Sequence, residues 1–418
     1  MGAKAFQKYK ANRNSNYVEW YGEKALRKIY HHDRAEVSYS PYFRRLAFKQ
    51  YHIAERSPEN RTRLLHSIEV ATIASGLAHR LGLDPELTEA IALGHDIGQP
   101  PCGYPADKVI KDYLQDQGGF DHGLLSAQIL EWSSKKESSY AAFKGLSRIR
   151  CFRPIIRDPD VKEVTTFSGE AVDGISKHTP PNSTDKYCNL PQTLEGQLVR
   201  IADNLSYLSQ EIDEGLRLVG RNYASELSSY AGKTVLTINK DREKTREELQ
   251  SPQPGCSAKA CTQFLMAVFD TRMGPRLVAM INRLQAYNKE MLKNGRLHSI
   301  ETQMHEEVAE VPQLEYDPTL EFIIDFLWTD FIGRQINEDP RVKKRIAENE
   351  EKVKTALDYC FNRPPKKGFK KRNFAKRQEE IRFYFSDLSG EQAYRRAVAH
   401  HIATLIDAQL DRIYKGKG

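Results

Sequence analysis

Residues 61–98 read RTRLLHSIEVATIASGLAHRLGLDPELTEAIALGHDIG, and two helices with a built-in stop between them account for the pattern. From 64 to 80, Leu64, Leu65, Ile68, Val70, Ala71, Ile73, Ala74, Leu77 and Ala78 recur at helical spacing along one broad face. Gly82 stops that helix, and Asp84-Pro85 caps and opens the next, with proline at the first helical position. The second helix, Glu86 to about Asp96, is apolar through Leu87, Ala90, Ile91, Ala92 and Leu93. It runs into Gly98-Gln99-Pro100-Pro101, a strong breaker.

The same periodicity recurs on either side. A third helix is expected from His122 to Trp132, and a long amphipathic one over 192–215, where Leu194, Leu198, Ile201, Leu205, Leu208 and Ile212 share a face. Further helical stretches cover 262–293, 318–335, 340–360 and 391–414, while Asn239 to Gly255 is charged, then proline-rich, and reads as a loop. Few segments show the alternation of a half-buried strand, so the expected class is all-α. One boundary is drawn near residue 235. It separates a core, 1–235, from a helical accessory region, 236–418, expected to complete the site and an oligomer interface.

Composition narrows the class. The 418 residues are 39% hydrophobic and 28% charged, as in a globular chain rather than a disordered one. No apolar run approaches the roughly 18–20 residues needed to span a bilayer, and the polar opening MGAKAFQKYKANRNSNY lacks the apolar core of a secretory signal. Six cysteines, none in CxxC spacing, suit a reducing cytosol and exclude a disulfide framework or zinc knuckle. The expectation is a cytoplasmic protein without a membrane partner. The net charge of +7 is compatible with a polyanionic substrate without requiring one.

Four residues carry the chemistry. Taken singly, each has an ordinary reading: His95-Asp96 as a helix-terminal histidine with a turn-starting acid, His66 as a satisfied core histidine, and Asp203 as a carboxylate paired with an arginine. Asp203 is the most telling, because it lies in the apolar helix Leu198-Val-Arg-Ile-Ala-Asp203-Asn-Leu205, and a bare buried charge is very unfavourable. Together, two imidazoles and two carboxylates suit a first-row divalent ion with open positions for water and phosphate.

In order along the chain, a series of segments resembles one family. These are Ser40-Pro-Tyr-Phe-Arg44-Arg45-Leu46 with Lys49-Gln50, the His66 and His95-Asp96 stretches, Gly118-Gly-Phe-Asp-His122, Asp173-Gly-Ile-Ser-Lys-His178, and Leu194 through Asp203 to Tyr207. Over residues 40–215 they are similar to the HD-domain deoxynucleoside triphosphate triphosphohydrolases, the dGTPase-like proteins. The resemblance implies an HD-domain helical core with a helical C-terminal extension. Its metal, Mn²⁺ or Mg²⁺ before Fe, Co, Ni or Zn, would be held by His66, His95, Asp96 and Asp203. It also implies Arg63 on the triphosphate, Arg44 in the nucleotide-contacting entry segment, Gln50 on the sugar, Tyr207 along the nucleotide and His122 near the scissile phosphate as a proton donor. The implied reaction is metal-assisted attack of water on the α-phosphate, releasing deoxynucleoside and intact triphosphate. Relatives form closed oligomers, so a homo-oligomer is expected.

The chain departs from the family pattern after Gly98. Where the family has Gly-His-Pro-Pro-Phe-Gly-His and then an acid, this row has Gln99 and Tyr104 in place of both histidines, with Asp107 as the acid. Tyrosine, with a pKa near 10, is a poor proton carrier at neutral pH. Proton transfer by His122 or by Tyr104 with Asp107, a different (modified or cyclic) nucleotide substrate, or a nucleotide sensor or nucleic-acid-binding regulator without turnover all remain open. Residues 366–377, KKGFKKRNFAKR, form a basic run with two aromatics. It reads as a solvated loop, a track for single-stranded nucleic acid, or a contact for a nucleotide effector at a subunit interface.

Overall fold

The computed structural model describes residues 23–50, 60–136, 167–179, 190–219, 336–363 and 388–416, together with Trp328, Ile332, Gly333, Gln378, Ile381, Tyr384 and Phe385. In chain order the helices are α1 (Glu23–Tyr39), α2 (Pro41–Arg45), α3 (Arg63–Leu81), α4 (Pro85–Gly94), α5 (Tyr104–Tyr113), α6 (His122–Lys136), α7 (Gly169–Ser176), α8 (Leu194–Val219), α9 (Pro340–Asn362), α10 (Gly390–Ala403) and α11 (Asp407–Tyr414). Among the described residues the architecture is all-α, and the one β-type pairing is an isolated antiparallel bridge between Gln50 and Thr62. No helix among them is long and apolar enough to cross a membrane.

The stop between α3 and α4 works as its residues dictate. Gly82 adopts φ +67°, a left-handed conformation that glycine takes without steric cost. Asp84 then accepts hydrogen bonds from the Glu86 and Leu87 N–H groups, and Pro85 opens α4. The buried face of α3 is narrower than its apolar pattern suggests. Val70, Ala71, Ala74, Leu77 and Ala78 are buried, whereas Leu65 and Ile68 are exposed. α3 packs on α4 and α8, α1 covers α4, and α7 lies against α6.

The C-terminal helices belong to the same packing. Val353, Ala356 and Leu357 of α9, Ala397 and Ile402 of α10 and Leu410 of α11 share one buried cluster with Val70, Leu87, Ile91 and Ile110. The single helix expected over 391–414 is two helices. Thr404 Oγ1 donates back to the His401 carbonyl at 2.9 Å, and the Gln409 side chain takes the Ile406 N–H at 3.1 Å. The chain thus turns a corner with neither glycine nor proline to announce it. α1 and α5 were not expected; α5 starts directly behind the Gly98–Pro101 breaker. The stretch 262–293, the loop 239–255, the basic run 366–377 and the boundary near 235 lie outside the described residues, as does most of 318–335.

Candidate metal centre

Three helix segments deliver the four donors. Thr62 caps α3 by accepting the Leu65 N–H, which places His66 in the first turn. α4 ends at Gly94, so His95 and Asp96 stand where the chain leaves the helix, and Asp203 projects from the first half of α8. Gly98 permits this exit, because a Cβ there would lie 2.6 Å from the His122 carbonyl oxygen and the Ser126 nitrogen of α6. The Gly98 N–H donates to Ser126 Oγ at 2.7 Å, and that hydroxyl donates to the His95 carbonyl at 2.6 Å, locking the turn onto α6.

The donor atoms converge. His66 Nε2 lies 3.0 Å from Asp203 Oδ1 and 3.8 Å from Asp96 Oδ2. His95 Nε2 lies 3.6 Å from Asp96 Oδ2 and 3.7 Å from Asp203 Oδ1. His95 Nδ1–H donates to the Ala92 carbonyl at 2.6 Å, which leaves the Nε2 lone pair aimed inward, buried and without a hydrogen-bond partner. His66 Nδ1 faces Ser206 Oγ at 3.3 Å, and that hydroxyl reaches Glu69 at 3.4 Å. Behind them Arg61 Nε holds Glu69 at 3.1 Å.

Burial alone would push both aspartates up. In Asp96 it is outweighed by the Arg63 guanidinium, 2.8 Å away, and by His95 and His66, so the carboxyl stays well below the usual range. In Asp203 the hydrogen bond to His66 and the neighbouring imidazoles do the same. One buried anion, Asp96, a partly exposed one, Asp203, and an orphaned imidazole nitrogen sharing one small space fit a divalent cation, and the N₂O₂ set is one that first-row metals accept.

A second constellation adjoins the first. His122 Nδ1–H donates to Asp107 Oδ2 at 3.1 Å, and His122 Nε2 faces His178 Nε2 at 3.1 Å and Asp96 Oδ1 at 3.8 Å. Burial would lower His122, but Asp107, by charge and hydrogen bond, and Asp96 lift it to about 9. His178 is pushed down by burial and by His95 and His122, so it stays neutral and its Nε2 accepts the hydrogen bond that His122 Nε2–H donates. Donor atoms of Asp96, His122 and His178, and those of His95, His178 and Asp203, also fall within 4.8 Å of one another.

His178 was quoted from the sequence without a role. The signal that marks it is shared with His95: each follows the end of a helix and is pinned through Nδ1 by the carbonyl three residues back, Ile175 at 2.8 Å for His178. Of the remaining candidates, Gln50 sits beside the α3 cap through its bridge to Thr62. Tyr207, one turn beyond Asp203, stacks on Trp328 at 4.7 Å, an aromatic partner that no motif indicated. Arg44 is exposed and donates to the Tyr39 carbonyl at 2.9 Å. Tyr104 opens α5 and is 61% exposed, while Asp107, one turn on, is hydrogen-bonded to His122.

Helices that bring two histidines and two aspartates around one point define a helical domain with a candidate metal centre. Residues 63–208 match the family model of the HD domain, and this stretch is an HD domain. The chain is also similar to proteins named deoxyguanosinetriphosphate triphosphohydrolase-like: 33% identical over 198 residues to one from Geobacter metallireducens, covering 46% of each chain. One from Bradyrhizobium diazoefficiens is 36% identical over 200 residues, and one from Bartonella quintana 35% over 212, each covering 46% of this chain and 48% of the relative. The matched region thus spans a little under half the length of these relatives.

Proposed function

We propose that the protein hydrolyses deoxynucleoside triphosphates to deoxynucleoside and inorganic triphosphate. The observation that carries this reading is the convergence of His66, His95, Asp96 and Asp203, with the His95 Nε2 lone pair buried and unpartnered. His66, His95, Asp96 and Asp203 would hold a divalent ion, which would lower the pKa of the attacking water and offset charge developing on the phosphoryl oxygens.

The chain's own groups do the rest. Arg63, already gripping Asp96, lies where a triphosphate would meet fixed positive charge. Gln50, whose side-chain oxygen is shielded and has no hydrogen-bond partner, offers an acceptor to a sugar hydroxyl. The stacked Tyr207 and Trp328 provide an aromatic wall along the nucleotide. Water adds to the α-phosphorus, the bond from that phosphorus to the 5′-oxygen breaks, and the departing oxygen needs a proton. His122, kept charged by Asp107, holds that proton on Nε2, and His178 orients it. This assigns to His122 and Asp107 the task that the missing histidine at Tyr104 would otherwise perform.

The test is turnover with added Mn²⁺ or Mg²⁺ and each dNTP in turn, followed by chromatography. Deoxynucleoside appearing with intact triphosphate supports the reading. No product, with metal and nucleotide both bound, replaces it with a nucleotide sensor; nucleoside monophosphate with pyrophosphate would mean a different bond is cut.

A further inference from the structure

Lys49 belongs to the segment whose sequence resembles a nucleotide-contacting entry, yet its side chain is 1% exposed. Its ammonium donates to two backbone carbonyls: that of Gln99, in the turn behind His95-Asp96, and that of Ala403, at the end of α10, the latter at 2.9 Å. A lysine committed to two internal carbonyls is not a phosphate ligand. It is a cross-link, and its position in the fold says what it joins.

On one side, three bonds lead to the corner between α10 and α11. Arg45 donates to the Thr404 carbonyl at 2.9 Å, Lys49 to Ala403, and the Gln50 N–H to Asp407 Oδ2 at 2.8 Å. On the other side, two routes lead to Asp96. The Lys49 carbonyl accepts the Arg63 N–H at 2.9 Å, and Arg63 grips Asp96 Oδ2 at 2.8 Å. The Gln99 carbonyl accepts from Lys49, and the Gln99 N–H donates to the Asp96 carbonyl at 2.9 Å. Gln50 pairs with Thr62, the α3 cap.

We propose that Lys49 is a positioning residue through which the α10–α11 corner, some 200 residues beyond the HD domain in sequence, sets the placement of Arg63 and of the Gly98–Pro101 turn on either side of Asp96. The C-terminal helices are then part of the substrate-binding apparatus without touching substrate. A buried ammonium satisfied only by carbonyls leaves both of them unpaired if it is removed, so the joint opens rather than relaxing.

The consequence for substrate rests on the phosphohydrolase reading above; the structural half does not, and two readouts separate them. The full-length protein and its Lys49→Met and Asp407→Asn variants are compared by amide exchange with mass spectrometry and by steady-state kinetics on a dNTP. In Lys49→Met, exchange should rise at least tenfold in peptides covering 62–66, 97–103 and 403–407 while 85–94 changes less than twofold. KM should rise at least tenfold with kcat within threefold, and Asp407→Asn should give the same pattern at smaller amplitude. Uniformly faster exchange, or an unchanged KM with normal turnover, overturns the proposal. If the wild type turns over no dNTP, the exchange pattern alone decides this inference and the phosphohydrolase reading is what fails. Should Lys49→Met not fold, Asp407→Asn decides.

Discussion

Two neighbouring groups of side chains use the same local device for opposite electrical ends. In the cage, His95 is pinned through Nδ1 by the Ala92 carbonyl; in the flank, His178 is pinned the same way by Ile175 and His122 by Asp107. The cage then collects anions, Asp96 and Asp203, held ionised by Arg63 and the imidazoles. The flank collects a proton, fixed on His122 by Asp107 and shared towards His178. A backbone carbonyl orients one imidazole in each, His95 and His178, and the two groups differ in which charge the surroundings favour. Fixed anions suit a metal ion, whereas a charged imidazole beside a neutral one suits proton delivery.

The largest effect should come from breaking the cage. Asp203→Ala removes one of two carboxylates, so bound Mn²⁺, measured by elemental analysis after gel filtration, should fall to background and turnover should vanish. A variant that stays active and metal-replete would remove Asp203 from the centre. In the flank, loss of a positioned acid should cost about 10²–10⁴ in rate. His122→Ala should show that loss with metal content unchanged, and retained rate would make the flank structural.

Asp107→Asn sharpens the same contrast through pH. His122 sits above its ordinary value, so its proton is present at low pH and is lost as pH rises through about 9 in the metal-free protein. A bound cation moves that limb lower, since its charge opposes the imidazolium. Asp107 is the main group raising His122, so Asp107→Asn should shift the alkaline limb of kcat to lower pH still. An unmoved limb would mean that another group titrates.

Arg63→Met tests the fixed-charge half. Arg63 and Asp96 are both buried, and removing one partner of such a pair costs about 3–5 kcal/mol because the other charge is left uncompensated. That loss should appear in urea melts of chelated protein and shrink when Mn²⁺ is added, because the ion replaces the missing cation. Equal loss with and without metal would separate Arg63 from the centre.

The cage was more legible in the sequence than the flank or the corner, for a physical reason. His66, His95-Asp96 and Asp203 stand out because each interrupts an otherwise apolar helical pattern, and Gly82, Asp84 and Pro85 mark where the helices begin and end. His178 carries no such contrast, since Ser-Lys-His-Thr reads as a polar helix end, and its role depends on α7 meeting α6. The split of 391–414 at Thr404 was invisible because side-chain bonds from Thr404 and Gln409 make the corner, without a breaker residue. Lys49 carries no signal of burial in the sequence, where lysine is almost always a surface residue; only the approach of two distant carbonyls makes it a buried joint.

Tyr104 marks the smallest expected effect and the finest test of the flank. In the sequence it occupies the place of a proton-transfer histidine, so Tyr104→His would be expected to restore a lost function. In the fold its side chain is 61% exposed at the first turn of α5, while Asp107, which would orient a histidine there, is already engaged by His122 at 3.1 Å. A new imidazole would have to take that carboxylate from His122 and lose it again to solvent. Tyr104→His should therefore change kcat by less than about threefold, a barrier change of under ~0.7 kcal/mol. A tenfold gain would show that Asp107 switches partners readily and that His122 is a substitute donor. A tenfold loss would place the Tyr104 hydroxyl in the reaction and transfer to it part of what the flank is assigned here.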